Sequence, residues 1–192
     1  MRILFLGPQG AGKGTQAKRI ESEYGLPHIA TGDILRAAIA DGSPLGRRVK
    51  EIVERGDLVP DDLMIDLIRD RLSHEDTDDG FVLDGFPRTL AQAEALDDML
   101  LEIGQPLDVV LELRVPREVA IVRMTKRAEE EGRSDDTPEA IDRRLALYDE
   151  LTLPVVDHYA PSGNLIAIHG EKSIDAVWAE IQDALELARD HS

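Results

Sequence analysis

Residues 7 to 15 read Gly-Pro-Gln-Gly-Ala-Gly-Lys-Gly-Thr, between an apolar run, Ile3 to Leu6, and a helical pattern, Thr15 to Tyr24. A glycine-rich loop joining strand to helix turns successive backbone N–H groups toward one point. The helix terminus adds partial positive charge there, so the segment suits polyphosphate oxygens. Glycine is required where a Cβ would block the approach of backbone to phosphate. Lys13 supplies a mobile charge for terminal phosphates. One position departs from the phosphate-loop spacing G-x-x-x-x-G-K-[ST]: Gly14 takes the hydroxyl place and Thr15 follows. The order of strand, loop, lysine and helix predicts a nucleoside triphosphate site rather than an unliganded turn.

Six arginines are candidates for more phosphate. Arg123 and Arg127 stand four apart on one helical stripe, Arg133 follows in a polar segment, and Arg144 lies on the next helix. Arg36 lies in an early insert and Arg88 follows the third strand-like run. Each alone is more often a surface salt-bridge partner. Two nucleotides in one site would instead need several guanidinium forks to hold their oxygens bidentately. Asp84 ends a strand beside the phosphate loop, where a carboxylate holds magnesium through water, with Asp33 as a possible helper. Asp135 and Asp136 fit either a hydrogen-bonded lid or a solvated loop. The five histidines show no metal-ligand spacing and read as structural or solvent-facing.

These groups need a scaffold. Strand-like runs occur at Ile3 to Leu6, His28 to Ala30, Phe81 to Asp84, Val109 to Leu113 and Leu165 to Ile168, with helical patterns between them. Alternation of this kind predicts an α/β fold, a five-stranded parallel sheet with helices on both faces. Ligands then bind beyond the carboxyl ends of the strands, so the loops after Leu6 and Asp84 share one edge. Thr89 with Gln92 is a capping-box signature for a helix to about Glu102. Pro44, Pro116 and Pro138 read as first-turn prolines. Ser173 caps a last helix whose apolar face is Ile174, Val177, Trp178, Ile181, Ala184 and Leu185. Two stretches exceed a minimal sheet-and-helix unit: Ala30 to Val59, read as two short helices, and the polar Lys126 to Asp136. Both are candidates for movable covers.

The 192 residues suit one domain, and the net charge of −17 argues against nucleic acid as a partner. The acidic excess reads as a well-solvated surface, with adaptation to high salt a further meaning. No apolar stretch approaches the roughly 20 residues of a membrane span, and the first residues do not form a signal peptide. Cysteine is absent, which fits a cytoplasmic location.

The motifs together resemble those of the adenylate kinases, among the nucleoside monophosphate kinases, over nearly the whole chain. Residues 7 to 16 resemble that family's P-loop, including Gly14 before Thr15. Thr31-Gly32-Asp33-Ile34-Leu35-Arg36 resembles its T-G-D-x-L-R segment, and Asp84 to Thr89 with Gln92 its D-G-F-P-R-T-x-x-Q signature. Gly132 to Asp136 and Arg143-Arg144-Leu145 resemble the segment closing its lid. Gln9 and Ala30 depart from the usual residues without removing a charged ligand.

The resemblance implies a P-loop kinase with a core of residues 1–29, 60–125 and 137–192. It implies an AMP-binding insert at 30–59 and a short lid at 126–136, without the zinc-binding cysteines of long-lid relatives. Gly10, Ala11, Gly12, Lys13, Gly14 and Thr15 would hold the ATP phosphates, with Arg123 and Arg127 closing over them and Lys172 near the adenine. Thr31, Arg36, Asp57, Leu58, Val59, Gly85, Phe86, Pro87, Arg88 and Gln92 would form the AMP pocket. Arg133 and Arg144 would bridge toward the moving phosphoryl group. The implied catalytic set is Lys13, Arg88, Arg123, Arg133 and Arg144. Mg²⁺ would arrive with ATP and meet Asp84 through water. The implied reaction is MgATP + AMP = 2 ADP in a cytoplasmic monomer. A UMP/CMP kinase on the same framework is the nearest alternative, which Thr31 and Gln92 disfavour. A non-catalytic nucleotide-binding module or GTPase-like switch is a further one, but no Asn-Lys-x-Asp guanine-reading motif occurs.

Overall fold

The computed structural model describes residues 1–190. Five strands, β1 (Arg2–Leu6), β2 (His28–Ala30), β3 (Phe81–Asp84), β4 (Val109–Arg114) and β5 (Leu165–His169), form one sheet in the order β2-β3-β1-β4-β5. Every pairing is parallel. The central strands are near-continuous apolar runs because both sheet faces are covered. Alternation then divides each strand between two cores. Leu4, Leu6, Phe81, Leu83 and Val110 face one core, whereas Ile3, Phe5, Val82, Val109, Leu111 and Leu113 face the other.

The first core is closed by α4 (Asp61–Leu72), α5 (Leu90–Glu102) and α8 (Leu153–Tyr159), through residues such as Ile68, Leu96 and Val155. The second is closed by α1 (Lys13–Tyr24) and α9 (Ile174–Asp190), through Ala17, Ile20, Trp178 and Ile181. Trp178 is buried in that core against Tyr24, with the Arg19 guanidinium 5.3 Å from its ring centre. Each such fully buried large side chain contributes about 1.5–3 kcal/mol.

Four further helices leave the sheet: α2 (Thr31–Ala40) and α3 (Pro44–Arg55) form the first insert, and α6 (Arg117–Glu131) and α7 (Pro138–Leu147) flank the second. Residues 126 to 131 continue α6, and only 132 to 137 form the connection to α7. Ser43 and Thr137 cap α3 and α7 by accepting from Gly46 N and Ala140 N, with Pro44 and Pro138 in the first turns as their positions predict.

Several local expectations are corrected. Helix α1 starts at Lys13, two residues before Thr15, so the lysine belongs to the helix terminus itself. Pro116 is the N-cap of α6 rather than a first-turn residue: its φ of −59° suits a helix, but its ψ of 146° is extended. Ile174 is 57 % exposed at the start of α9, so the buried face begins at Val177. Thr89 caps α5 by accepting from Gln92 N, but the reciprocal half of the capping box is not made. Gln92 Oε1 accepts from Arg88 N instead.

Candidate functional site

Parallel register brings the strand ends together. Phe5 pairs with Asp84 and Leu6 with Glu112, so the loop after β1, the loop after β3 and the end of β4 open on one edge. Helix α1 follows Gly12 with no side-chain cap and no acidic residue in its first turn, whereas hydroxyl side chains cap α3, α5 and α7. Its terminal N–H groups and positive dipole end thus face the loop's concavity. The glycines have two kinds of reason. A Cβ on Gly7 would stand 2.5 Å from Leu113 O, and one on Gly10 would stand 2.6 Å from Ala120 O. Those two are required by the chain's own packing. Gly12 has only the Arg123 guanidinium nearby at 3.9 Å, so its backbone, with φ +99°, rather than its packing requires glycine.

Lys13 Nζ donates to Gly7 O at 2.8 Å and Pro8 O at 2.9 Å, with Asp84 Oδ1 4.0 Å away. Burial, with Arg88 and Arg127 near, lowers its pKa to about 8 despite the Asp84 carboxylate. Burial pushes the Asp84 carboxyl up, but His28 and Lys13 outweigh it and hold it below the usual carboxylate range. Asp84 is therefore ionised at neutral pH. Next to it Arg88 donates from Nε to Gly85 O at 2.8 Å. Among the described residues, no carboxylate lies within ion-pair distance of its guanidinium. Burial, then the Arg144 and Arg36 charges, lower its pKa to about 10 against the opposing Asp84 carboxylate.

Arg123 is likewise without an acidic partner among the described residues, donating from Nη1 to Ala11 O at 3.2 Å and Gly170 O at 2.8 Å. It ties α6 to the phosphate loop. Arg127, one turn on, donates from Nε to Asp136 Oδ2 at 2.8 Å, and Arg144 Nη2 donates to Asp135 Oδ2 at 2.7 Å. Arg144 Nη1 also bonds Asp136. Both aspartates are buried, so the hydrogen-bonded alternative holds and the solvated loop does not. Two cations share the buried Asp136, and removing one member of such a set leaves charge uncompensated. Asp136→Ala is expected to lower unfolding free energy by about 3 kcal/mol in urea titration. A loss under about 0.5 kcal/mol would mean that the pair contributes like a surface contact.

The insert meets this arm. Arg143 Nε donates to Asp57 Oδ1 at 2.8 Å, Arg144 Nη2 to Val53 O at 3.3 Å, and Arg36 Nη1 lies 3.6 Å from Asp135 Oδ2. Between insert, arm and sheet edge lies a cavity of about 620 Å³. Lys13, Arg36, Arg88, Arg123, Arg127, Arg133 and Arg144 all line it. With Lys18, Lys126 and Lys172 at the same cavity, ten lysines and arginines stand against six carboxylates there, on a chain with net charge −17.

The adenylate kinase family model matches residues 5–164. An adenylate kinase of Xanthomonas euvesicatoria pv. vesicatoria is 49 % identical over 185 residues, covering 96 % of this chain and 99 % of the relative. One of Stenotrophomonas maltophilia is 47 % identical over 186 residues, covering 97 % and 100 %. The chain belongs to the adenylate kinase family. It is an enzyme, a phosphotransferase, and the resemblance carried by its motifs is borne out.

The remaining residues expected of an adenylate kinase site also line the cavity: Gly10 to Thr15 and Lys172 on one side, and Thr31, Asp57 to Val59, Gly85 to Pro87 and Gln92 on the other. The Asp57 carboxylate is engaged by Arg143 and Arg55, which hold it below the usual range. Lys172 Nζ bonds Glu180 at the rim. Arg133 donates to Glu131 Oε2 at 2.6 Å.

Of the histidines, His28 stands at the site. Its side chain is 7 % exposed, with Nε2 3.6 Å from Asp84 Oδ2, and it lines the cavity. Its signal lies in register: His28 to Ala30 pair with Val82 to Asp84, so one histidine necessarily stands near the acidic strand end. His158 meets Asp97 and His169 meets Glu180, both away from the site, and His191 lies outside the described residues. Tyr148 and Thr152 line the cavity without any motif that points to them. They belong to a π-helical turn, Tyr148–Thr152, and Thr152 Oγ1 donates to Arg88 O at 2.9 Å. Irregular helix of this kind has no reliable signature in one sequence.

Proposed function

We infer that the protein catalyses MgATP + AMP = 2 ADP, with ATP on the phosphate-loop side of the cavity and AMP on the insert side. The observation that carries this reading is the pair of arginines, Arg88 and Arg123, which lack acidic partners within ion-pair distance among the described residues and line one cavity. A buried cation without a counter-ion costs stability unless a ligand supplies one. Two partly buried cations of this kind, together with Lys13, fit the triphosphate of one nucleotide and the phosphate of another.

Gly10 to Thr15 and Lys13 hold the ATP phosphates, Arg123 and Arg127 cover them, and Lys172 lies at the adenine side. Thr31, Arg36, Asp57, Leu58, Val59, Gly85, Phe86, Pro87, Arg88 and Gln92 enclose AMP, with Arg133 and Arg144 over the transferring group. Residues 30–59 and 126–136 act as insert and lid on a core of 1–29, 60–125 and 137–192. Magnesium enters with ATP, and the ionised, partly buried Asp84 beside the loop suits a hydrated divalent cation. When bound, the ion neutralises charge on the phosphates.

No nucleophilic side chain is needed. The AMP phosphate, with a second pKa of about 6, attacks as a dianion at neutral pH. The protein aligns the attacking oxygen with the bond to be broken, screens the charge with Lys13 and the arginines, and excludes water that would compete as acceptor. The insert–arm contacts through Asp57, Val53 and Asp135 describe a covered site of this kind. The same reading includes a cytoplasmic monomer without structural zinc or nucleic-acid partner. Among the described residues, no helix is long and apolar enough to cross a membrane.

An assay coupling ADP formation to NADH oxidation tests the reaction with ATP and each monophosphate. AMP is expected to exceed UMP and CMP by about a hundredfold in kcat/KM, since a site built to hydrogen-bond one base leaves its polar groups unpaired with another. Equal rates with UMP or CMP favour the pyrimidine kinase, and a single nucleotide bound at saturation removes the kinase reading.

A further inference from the structure

Gln92 is buried at 2 % exposure, yet its side chain borders the insert side of the cavity. Its amide is held at both ends. Oε1 accepts from Arg88 N at 2.8 Å, and Nε2 donates to Asp61 Oδ1 at 2.7 Å. Asp61 is the first residue of α4 and is not part of the cavity wall. Its Oδ1 also accepts from Thr89 Oγ1 at 3.0 Å, and Thr89 Oγ1 in turn accepts from Gln92 N at 3.2 Å. The carboxylate is thus anchored before it meets the amide.

The partners decide which way the amide points. An ionised carboxylate only accepts, and a backbone N–H only donates. Rotating the Gln92 amide by half a turn would set its oxygen against Asp61 Oδ1 and its NH₂ against Arg88 N–H, losing both bonds. An amide carries two N–H groups and two lone pairs, so one of each is left for a ligand. We propose that Asp61 is a specificity-determining positioning residue, which locks Gln92 to present one acceptor and one donor and so selects a 6-aminopurine monophosphate over a 6-oxopurine one. A 6-aminopurine offers a donor at the amino group and an acceptor at N1, complementary to that pair. A 6-oxopurine offers an acceptor and an N1–H donor, the reverse. The proposal rests on the reading that Gln92 faces the base of AMP.

The test compares AMP with IMP, which differs in that edge, by kcat/KM in wild type, Asp61→Asn and Gln92→Leu, with melting temperature recorded for each. The amide introduced by Asp61→Asn can turn either an oxygen or an NH₂ toward Gln92, so the lock on that side is removed. The AMP/IMP ratio is expected to fall at least tenfold in Asp61→Asn, chiefly through KM, and Asp61→Glu, still acceptor-only, is expected to restore part of it. An unchanged ratio in Asp61→Asn, with Gln92→Leu collapsing it, overturns the role of Asp61 alone and leaves a helix-terminus charge. An unchanged ratio in Gln92→Leu overturns the reading of Gln92 and the proposal with it. If Asp61→Asn does not fold, the ligand-free wild type decides by NMR. One Gln92 Nε2 proton is expected to exchange with solvent at least tenfold more slowly than the other, and equal exchange overturns the lock.

Discussion

Replacing Arg88 with alanine is expected to lower kcat/KM for phosphoryl transfer by about a thousandfold while the fold is retained, because an arginine on the transferring group has effects of that order. The structure separates Arg88 from the arginines that serve packing. Its guanidinium has a carbonyl, Gly85 O, as its hydrogen-bond acceptor, and it faces the cavity among other cations. Burial and the charges of Arg144 and Arg36 depress its pKa to about 10, so the ligand-free fold bears a cost for it. Removing the charge relieves that cost, and losing one hydrogen bond and some packing offsets the relief, so unfolding free energy is expected within about 1 kcal/mol of wild type. Steady-state kinetics and urea titration measure the two quantities on one preparation. The contrast with Asp136→Ala is diagnostic, since there stability falls first. Near-normal turnover in Arg88→Ala would remove this residue from the reaction.

Much of this arrangement was legible in the chain because local rules and global topology agreed. The parallel sheet follows from short apolar runs between helices, and the shared edge follows from parallel strands alone. Seven cations widely separated in sequence stand out as candidates because charge on so acidic a chain is informative where it is positive. What stayed illegible was three-dimensional pairing. Asp135 and Asp136 are short polar residues in a polar stretch, and nothing in their spacing tells solvent from two arginines. His28 depends on strand register, which is available only once β2 is placed beside β3. Gln92 fits both a capping-box member and a base reader. Its geometry abandons half of the first role, since Arg88 N rather than Thr89 N occupies Oε1. That local departure is where the site overrides helix grammar.

The insert and arm touch through ionic and backbone contacts rather than through a shared apolar core. Val53 contributes its carbonyl, Asp57 and Arg143 form an exposed pair, and Asp135 reaches toward Arg36. Exposed pairs are worth about 0–1 kcal/mol each. Contacts of that size can hold a cover over bound nucleotides without trapping them, which suits a cycle in which opening limits turnover. The triad of Arg127, Arg144 and Asp136 is of another kind: it stiffens the arm itself, whatever the position of the insert.

Triphosphate affinity is expected to fall as pH rises above 8, through Lys13. In the ligand-free protein burial places this lysine at about 8, well under its ordinary value, so it is mostly charged at pH 7 and mostly neutral at pH 9.5. A polyphosphate beside it favours the charged form and raises the pKa again, so binding at high pH takes up a proton. Affinity is therefore level from pH 7 toward 8 and then drops, reaching about thirtyfold weaker at pH 9.5 if no other group intervenes. Stability of the free protein moves in the opposite sense. Between about 8 and 10.5 the unfolded chain holds the Lys13 proton and the folded chain has lost it, so this group adds stability as pH rises through that window, on the order of 3 kcal/mol in full. Lys13→Met lacks both trends, and the difference between wild type and variant isolates them from other titrating groups. Calorimetric titration with a non-hydrolysable triphosphate at pH 7, 8, 9 and 9.5 gives the first trend, and melting of the ligand-free proteins gives the second. A wild-type affinity as flat as that of Lys13→Met would mean that Lys13 keeps its proton throughout, with Asp84 and the loop carbonyls outweighing its burial.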